Sequence, residues 1–304
     1  RREYDLVIGA DGARSAVRAS VAASVEGCVS KCYEDDNERV YKTVTLNIAG
    51  ATGETLDLNY SIRTKTDIVV DALPTREGLH VGVLLFRPDD ARVLSISSKE
   101  EARSFFKEHL PQLEPWVDDA ALENFATKAI SRLPQFQYCG PVLNRGGEGV
   151  LLGDAIHTVK PFFGFGVNQA LEDVRVLGQC LDAATEAPGM VHASKALEQF
   201  SERRGAEAVA LVEISWGCDR PGTLGMVRFI GPIVLDKIFS NALPQLFSPP
   251  ILQKLRMEDE NSGFQASQGR KRYERAGQIA IISTTLAAAG SAVAAGVHAV
   301  GSLL

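Results

Sequence analysis

Gly153, Asp154, Pro161, Gly164 and Gly166 stand close enough in the chain to build one ligand-gripping turn, and the order of residue types says what it would grip. Val150, Leu151 and Leu152 are an apolar run suited to a strand buried in a parallel sheet, and Gly153-Asp154 ends it. A carboxylate at the carboxyl end of such a strand faces the ligand crevice, where it can accept hydrogen bonds from a sugar-like hydroxyl chain. Pro161, Gly164 and Gly166 keep the following loop close-fitting and free of bulk. Past Gly166 the period changes: Val167, Ala170, Leu171, Val174, Leu177 and Leu181 recur at three- and four-residue spacing, which predicts a helix with one apolar face. The free amides of its first turn would point at whatever fills the loop. The structural alternative for Asp154 is a helix cap.

Gly153-Asp154, Pro161 and the Gly164, Gly166, Val167, Asn168 pattern resemble the second flavin motif of the FAD-dependent aromatic hydroxylases, and of the kynurenine 3-monooxygenases in particular. Tyr4 to Arg18, YDLVIGADGARSAVR, is similar to the family's other internal motif, a strand followed by Asp-Gly, a Ser and an Arg. The two motifs stand in the family's order. The resemblance implies a group A flavoprotein monooxygenase using FAD, NAD(P)H and O2 to hydroxylate a small aromatic substrate. It implies that Asp154 binds the ribityl chain, and that Asp11, Gly12, Ser15 and Arg18 lie near the cofactor's phosphates and the nicotinamide route. Arg14 and Arg18 read equally well as solvated helix residues. Phe162 and Phe163 would exclude water beside the flavin ring, core packing being the alternative. His157, three residues after Asp154, is expected to hold loop backbone rather than act as a base.

The chain departs from the family in three places. No GxGxxG between a strand and a helix is present to hold the ADP half of FAD, so the first βαβ unit is expected to be missing from this sequence. Phe165 replaces the family's glutamine between the loop glycines, and an ungapped alignment puts Trp216 and Ile251 where the family has a substrate-binding Asn and Tyr. The family's substrate-carboxylate Arg would lie ahead of Arg1. Phe162, Phe163, Phe165 and Trp216 are thus the pocket candidates, and an apolar or bulkier aromatic substrate suits them better than kynurenine.

The elements that must position these residues follow from pattern. With 304 residues, 45% of them hydrophobic, the chain can bury a large core. A net charge of −6 and a pI near 5.5 argue against nucleic acid as the main partner. Cys28, Cys32, Cys139, Cys180 and Cys218 include no CxxC pair, which favours reduced thiols in a reducing compartment and no metal site. The fold class expected is α/β: a Rossmann-like FAD/NAD(P)-binding domain, incomplete at its N-terminus, with an inserted antiparallel substrate-side sheet and a C-terminal helical region. The portions are 1–30 with the Asp-Gly motif, 31–135 for the sheet, 136–200 for the return with the Gly-Asp motif, 201–265 for helices, and 266–304 for a basic flank and tail helix. In the sheet, Val44, Leu46 and Ile48 alternate with polar residues, Leu58, Tyr60 and Ile62 repeat the beat, and Leu79, Val81, Val83 and Leu85 give a further strand. Ser98 with Glu101 predicts a capping box, opening a helix that buries Ala102, Phe105, Phe106 and Leu110. Ala193 to Glu213 reads as helix, and Met226 to Phe247 as a packing helix interrupted by Arg228, Asp236 and Lys237.

Ala276 to Leu304 carries no Asp, Glu, Lys or Arg, while Arg270, Lys271, Arg272 and Arg275 crowd its upstream edge. Length and flanking charge predict a membrane helix with the body on the cytosolic side, at the mitochondrial outer membrane or another organelle surface. An alanine-rich helix packed on the protein is the alternative. Two other functions remain in view: a flavin reductase or oxidase acting on a lipid-like substrate at a membrane, and a non-catalytic interaction module. Oligomeric state is left open.

Overall fold

Arg1–Asp36 and Pro134–Leu304 fold as one unit and Asn37–Leu133 as a second, in a computed structural model that describes residues 3–52, 59–161, 164–187, 190–254 and 263–301. The first unit opens with β1 (Val7–Gly9), α1 (Ala16–Ser24) and β2 (Cys28–Cys32). The second comprises β3 (Val40–Leu46), α2 (Ile48–Thr52), β4 (Tyr60–Arg63), β5 (Val69–Pro74), β6 (His80–Phe86), α3 (Ala91–Leu94), α4 (Lys99–His109), α5 (Asp119–Thr127) and β7 (Ser131–Arg132). The chain then returns to the first unit through β8 (Gln137–Pro141), β9 (Asn144–Arg145), β10 (Gly149–Leu151) and β11 (His157–Thr158). Helices finish it: α6 (Phe165–Ala183), α7 (Ala193–Cys218), α8 (Gly222–Ala242), α9 (Ile251–Lys254) and α10 (Phe264–Gly301).

The second unit is an antiparallel sheet in the order β4-β5-β6-β3-β7, with α4 and α5 covering one face. Val40, Val44 and Leu46 of β3 point inward at two-residue spacing and meet Phe105, Phe106, Leu122 and Phe125. The capping box is present: Ser98 Oγ accepts the Glu101 amide and the Glu101 carboxylate accepts the Ser98 amide. Lys42, also on the inward beat, is buried, and its Nζ donates to the carbonyls of Phe125 (3.0 Å) and Ala126 (3.4 Å). A strand lysine thus satisfies the C-terminal carbonyls of α5. In β6 the facing differs from expectation: His80, Gly82, Leu84 and Phe86 face the helices, and Val81 is exposed. Phe86 and Leu84 are the bulkier pair to bury, and their register fixes the face.

In the first unit, β1 and β10 pair in parallel, Val7 with Gly149 and Gly9 with Leu151, and β9 joins β10 antiparallel. A second small sheet runs β11-β8-β2. Helix α7 lies directly on β8: a Cβ placed on Gly205 would come 1.7 Å from the Pro141 carbonyl oxygen, so only glycine permits this approach.

The C-terminal helices correct two expectations. In α8 the residues turned inward are Gly225 and Asp236, while Leu224, Met226, Val227, Ile230, Val234 and Ile238 are exposed. The packing surface is polar because Asp236 meets Arg275 (3.1 Å), Gln278 (3.1 Å) and Lys271 (3.3 Å) of α10. The expected membrane tail is a helix, but among the described residues no helix is long and apolar enough to cross a membrane.

Glu274 ties the start of α10 down. Burial opposes its charge, but donors from Lys271, Arg270 and the Ser248 hydroxyl and amide outweigh it and hold its carboxyl at about 2. Because that value is lowered, the contribution is complete above the ordinary carboxylate range and is lost as pH falls toward 2. Glu274→Gln is expected to lower unfolding free energy by about 2 kcal/mol at pH 7 and to make no difference at pH 2, read by urea denaturation at the two pH values.

Candidate functional site

The parallel strands β1 and β10 end side by side, and the residues of interest are the turns beyond them. After Gly9 the chain reaches Asp11-Gly12, with Gly12 at φ +80°. Asp11 is tied to the start of α1: it accepts the Ser15 hydroxyl, the Ala16 amide (2.7 Å) and the Val17 amide (3.3 Å). The Ser15 hydrogen bond is the main reason its carboxyl lies below the usual range. Ser15 in turn caps α1 through the Arg18 amide.

Arg18 corrects an expectation. Its side chain is buried rather than solvated, and it donates to the backbone oxygens of Ala13 (2.6 Å), Asp154 (3.4 Å) and Ala155 (3.2 Å) and to Gln137 Oε1 (2.9 Å). It is a strut from the first turn to the second. Burial lowers its pKa, while these acceptors pair both terminal nitrogens of the guanidinium.

At the second turn Gly153 sits at φ +60°, where an added Cβ would also press on Ala170 at 3.3 Å. Its amide donates to Asp173 Oδ2 (2.9 Å). The same oxygen faces His157 Nε2 at 2.8 Å, and Asp173 Oδ1 accepts from Arg204 Nε at 2.7 Å. Asp173 and His157 are fully buried and Arg204 nearly so. Burial pushes the Asp173 carboxyl up, but His157 and Arg204 outweigh it and leave it below the ordinary value. The carboxylate fixes a proton on His157 Nε2, and among the described residues Nδ1 has no partner. His157 therefore meets the loop backbone only through Asp173, which holds the Gly153 amide, and being fully buried it has no open route to a substrate.

Asp173 also decides which way α6 faces. The buried stripe is Phe165, Asp173, Val176, Leu177 and Cys180, while Val167 (73%), Leu171 (63%) and Val174 (57%) are exposed. The apolar face expected from Val167 onward is thus turned largely outward, and Asp173 faces inward where Arg204 and the Gly153 amide meet it. Sequence reasoning missed Asp173 and Arg204. Their one signal is an acid in the middle of a stripe that is otherwise apolar at helical spacing.

Asp154 stands apart from this network. Its backbone oxygen accepts from Thr158 Oγ1 (2.9 Å) and Arg18, yet its carboxylate, on the exposed side of the turn, makes no hydrogen bond among the described residues. The protein surface beneath it raises its pKa by desolvation, opposed by the charge of His157. Close by, α6 begins at Gly164, φ +70°, without a side-chain cap, and Asn168 Nδ2 donates to the Gly164 oxygen (3.1 Å). Added Cβ atoms would meet nothing at Gly164 and only ordinary contact at Gly166. A half-desolvated acceptor, an uncapped helix start and open space over the glycines fit a polyol-bearing anionic ligand such as FAD.

The pocket candidates separate. Phe162 and Phe163 lie outside the described residues. Phe165 is core, packed with Ala210, Leu211, Ile214 and Phe264 and edge-on to Phe264 at 5.3 Å; its expected place in a pocket is corrected, because the first turn of α6 sits against α7 and α10. Ile251 packs on the same cluster. Trp216 stacks on Tyr33 at 4.4 Å and under the Arg220 guanidinium at 3.6 Å. Pro161 is exposed, and Lys160 before it is buried between Asp35 and Asp219, 2.7 Å from each, tying the loop to the end of α7.

Comparison with known proteins agrees with this geometry. A family model described as FAD binding domain matches residues 3–215. Kynurenine 3-monooxygenase of Saccharomyces cerevisiae is 29% identical over 218 residues, 70% of this chain and 46% of that protein. Violacein synthase of Chromobacterium violaceum is 27% identical over 273 residues, 86% of this chain and 59% of that protein. The chain spans about half the length of the curated relatives it matches. Klebsiella pneumoniae HpxO, solved with FAD and uric acid, shares the fold at a TM-score of 0.51 and 20% identity, over 89% of this chain and 59% of that one.

Proposed function

This chain belongs to the FAD binding domain family, and from that premise we propose that it works in an FAD-dependent monooxygenase that hydroxylates an aromatic substrate with NAD(P)H and O2. The observation that carries the reading is the Asp154 carboxylate, held by backbone contacts at the end of a parallel strand and left without a partner beside an uncapped helix. The relatives support the reaction class, since kynurenine 3-monooxygenase is among them.

When bound, FAD supplies the redox chemistry that activates O2 for transfer of one oxygen atom. The protein's residues bind and orient. Asp154 would accept hydrogen bonds from the ribityl hydroxyls, and Arg18 and Asp173 fix the backbone on which it stands. The amides of Gly166 and Val167, in the uncapped first turn of α6, would stabilise negative charge at the mouth of the loop. Asp11 holds α1 so that Arg18 reaches across.

The test of the reaction is NAD(P)H consumption by the FAD-loaded protein, stimulated by an aromatic compound, with a label from isotopic O2 appearing in the product; consumption with no label points to a reductase or oxidase instead. A second test bears on Asp154 alone. Asp154→Ala is expected to weaken FAD binding by about 1.5–3 kcal/mol, tenfold or more, as for a hydrogen bond to a charged group. Because the Asp154 pKa is raised in the folded protein, its ionised form costs stability at neutral pH, and that cost disappears as pH falls through the raised value. Asp154→Asn should therefore leave the Tm of the flavin-free protein unchanged or higher while FAD affinity drops. Unchanged affinity in fluorescence titration, or a large fall in Tm, removes the ligand role.

A further inference from the structure

The thiols of Cys28 and Cys139 lie 2.9 Å apart in the interior of the first unit, with side chains 5% and 0% exposed. They stand on adjacent antiparallel strands. Cys28 of β2 is opposite Pro141 of β8, and Cys139 is opposite Ser30, so the two cysteines are diagonal neighbours on the same face of the ladder. Both are free, and neither takes part in the site around Asp154. Sulfur atoms at this separation are inside van der Waals contact, about 0.9 Å from a disulfide's bond length.

The two positions are chemically unequal. The hydrogen bond from Cys139 lowers the Cys28 pKa, and the same bond, together with burial, drives that of Cys139 far up. Cys28 is thus the better nucleophile and Cys139 the thiol that holds its proton. Position reinforces this, because β2 is the edge strand of the β11-β8-β2 sheet and Cys28 follows the turn at Gly27, φ +80°. An edge strand opens more readily than the strand it covers. Cys139, on the central strand, is fully buried.

We propose that Cys28 and Cys139 are a modification site, an intramolecular dithiol that a peroxide converts to a disulfide. The Cys28 thiolate attacks one peroxide oxygen; the O–O bond breaks, and the departing hydroxide takes a proton to leave as water. Cys139 Sγ then attacks the sulfenic sulfur of Cys28, the S–S bond forms, and the hydroxyl leaves with the Cys139 proton as a second water. The two thiols lose two electrons and the peroxide gains them. The product closes a covalent loop from β2 to β8 that contains the whole of Asn37–Leu133, so the inserted unit is fastened where it leaves and where it returns. A loop of that length removes more entropy from the unfolded chain than a short one.

The experiment uses the native, wild-type chain. After treatment with hydrogen peroxide, then denaturation and alkylation, the expected product is a Cys28–Cys139 linked peptide, with the intact mass lower by two hydrogens and a Tm several degrees higher that reverts on reduction. Cys139→Ser, treated in the same way, should form no link and should carry a dimedone-reactive sulfenic acid on Cys28. If Cys28 and Cys139 are both fully alkylated after oxidation and only the exposed Cys32 is modified, the proposal is wrong. A Cys28 disulfide to any thiol other than Cys139 overturns it equally.

Discussion

Asp173→Ala is expected to lower the unfolding free energy by about 3–5 kcal/mol, as for one partner removed from a buried ion pair. The magnitude comes from what the substitution leaves behind. Arg204, buried and dependent on Asp173 for its Nε contact, keeps its charge with only Gln169 at its second nitrogen. The Gly153 amide loses its acceptor, and His157 loses the partner of Nε2. Each buried donor so orphaned adds a desolvation penalty. Replacing both charges at once, Asp173→Leu with Arg204→Met, should recover a substantial part of the loss, since an apolar pair of similar volume is often no worse than a buried ion pair. The pH dependence has a definite sign. The Asp173 pKa is lowered, so its contribution is present above the usual aspartate value near 3.8 and is lost as pH falls through the folded-state value. Urea denaturation of wild type and variant from pH 7 downward should show their stabilities converging in acid; a constant gap would mean that packing, not charge, is responsible.

Gly205→Ala is the second large effect. A methyl at this position would sit 1.7 Å from the Pro141 oxygen, 2.6 Å from its carbon and 2.9 Å from its Cα, all backbone atoms that have no rotamer by which to yield. Either α7 lifts off β8 or β8 bends. Relief of such overlap costs about 3 kcal/mol or more, which in a chain of this size is a fall in Tm of roughly 5 °C or more. The control is Gly178→Ala in α6, where an added Cβ would meet nothing within 4 Å. There the expected change is a gain of up to about 1 kcal/mol from helix propensity. Equal Tm values for the two variants would show that α7 does not ride on β8 as closely as described.

Much of this was readable from residue types. The capping box at Ser98 and Glu101, the strand before Asp154 and the alternation in β3 are local signals, fixed by hydrogen bonds or periods of a few residues. What the sequence left undecided was facing. In α6 two stripes at helical spacing compete, and the one containing Asp173 is buried because Arg204, thirty-one positions away, is there to meet it. In α8 the same kind of distant partner, Arg275 and Lys271, draws Asp236 inward and leaves the aliphatic residues outside. Arg18 shows the same limit: the motif gives its position, but its acceptors at Asp154 and Ala155 belong to a turn more than a hundred residues downstream.

The inserted unit begins and ends at neighbouring points. The Tyr33 amide donates to the Phe136 oxygen at 2.9 Å, and Cys32 pairs with Gln137 across β2 and β8. The two strands therefore already form the legs of a hairpin whose connecting loop happens to be a folded body. A gene segment coding for that body has both of its junctions at one spot on the scaffold, so recombination can exchange it whole without re-registering a single strand of what remains.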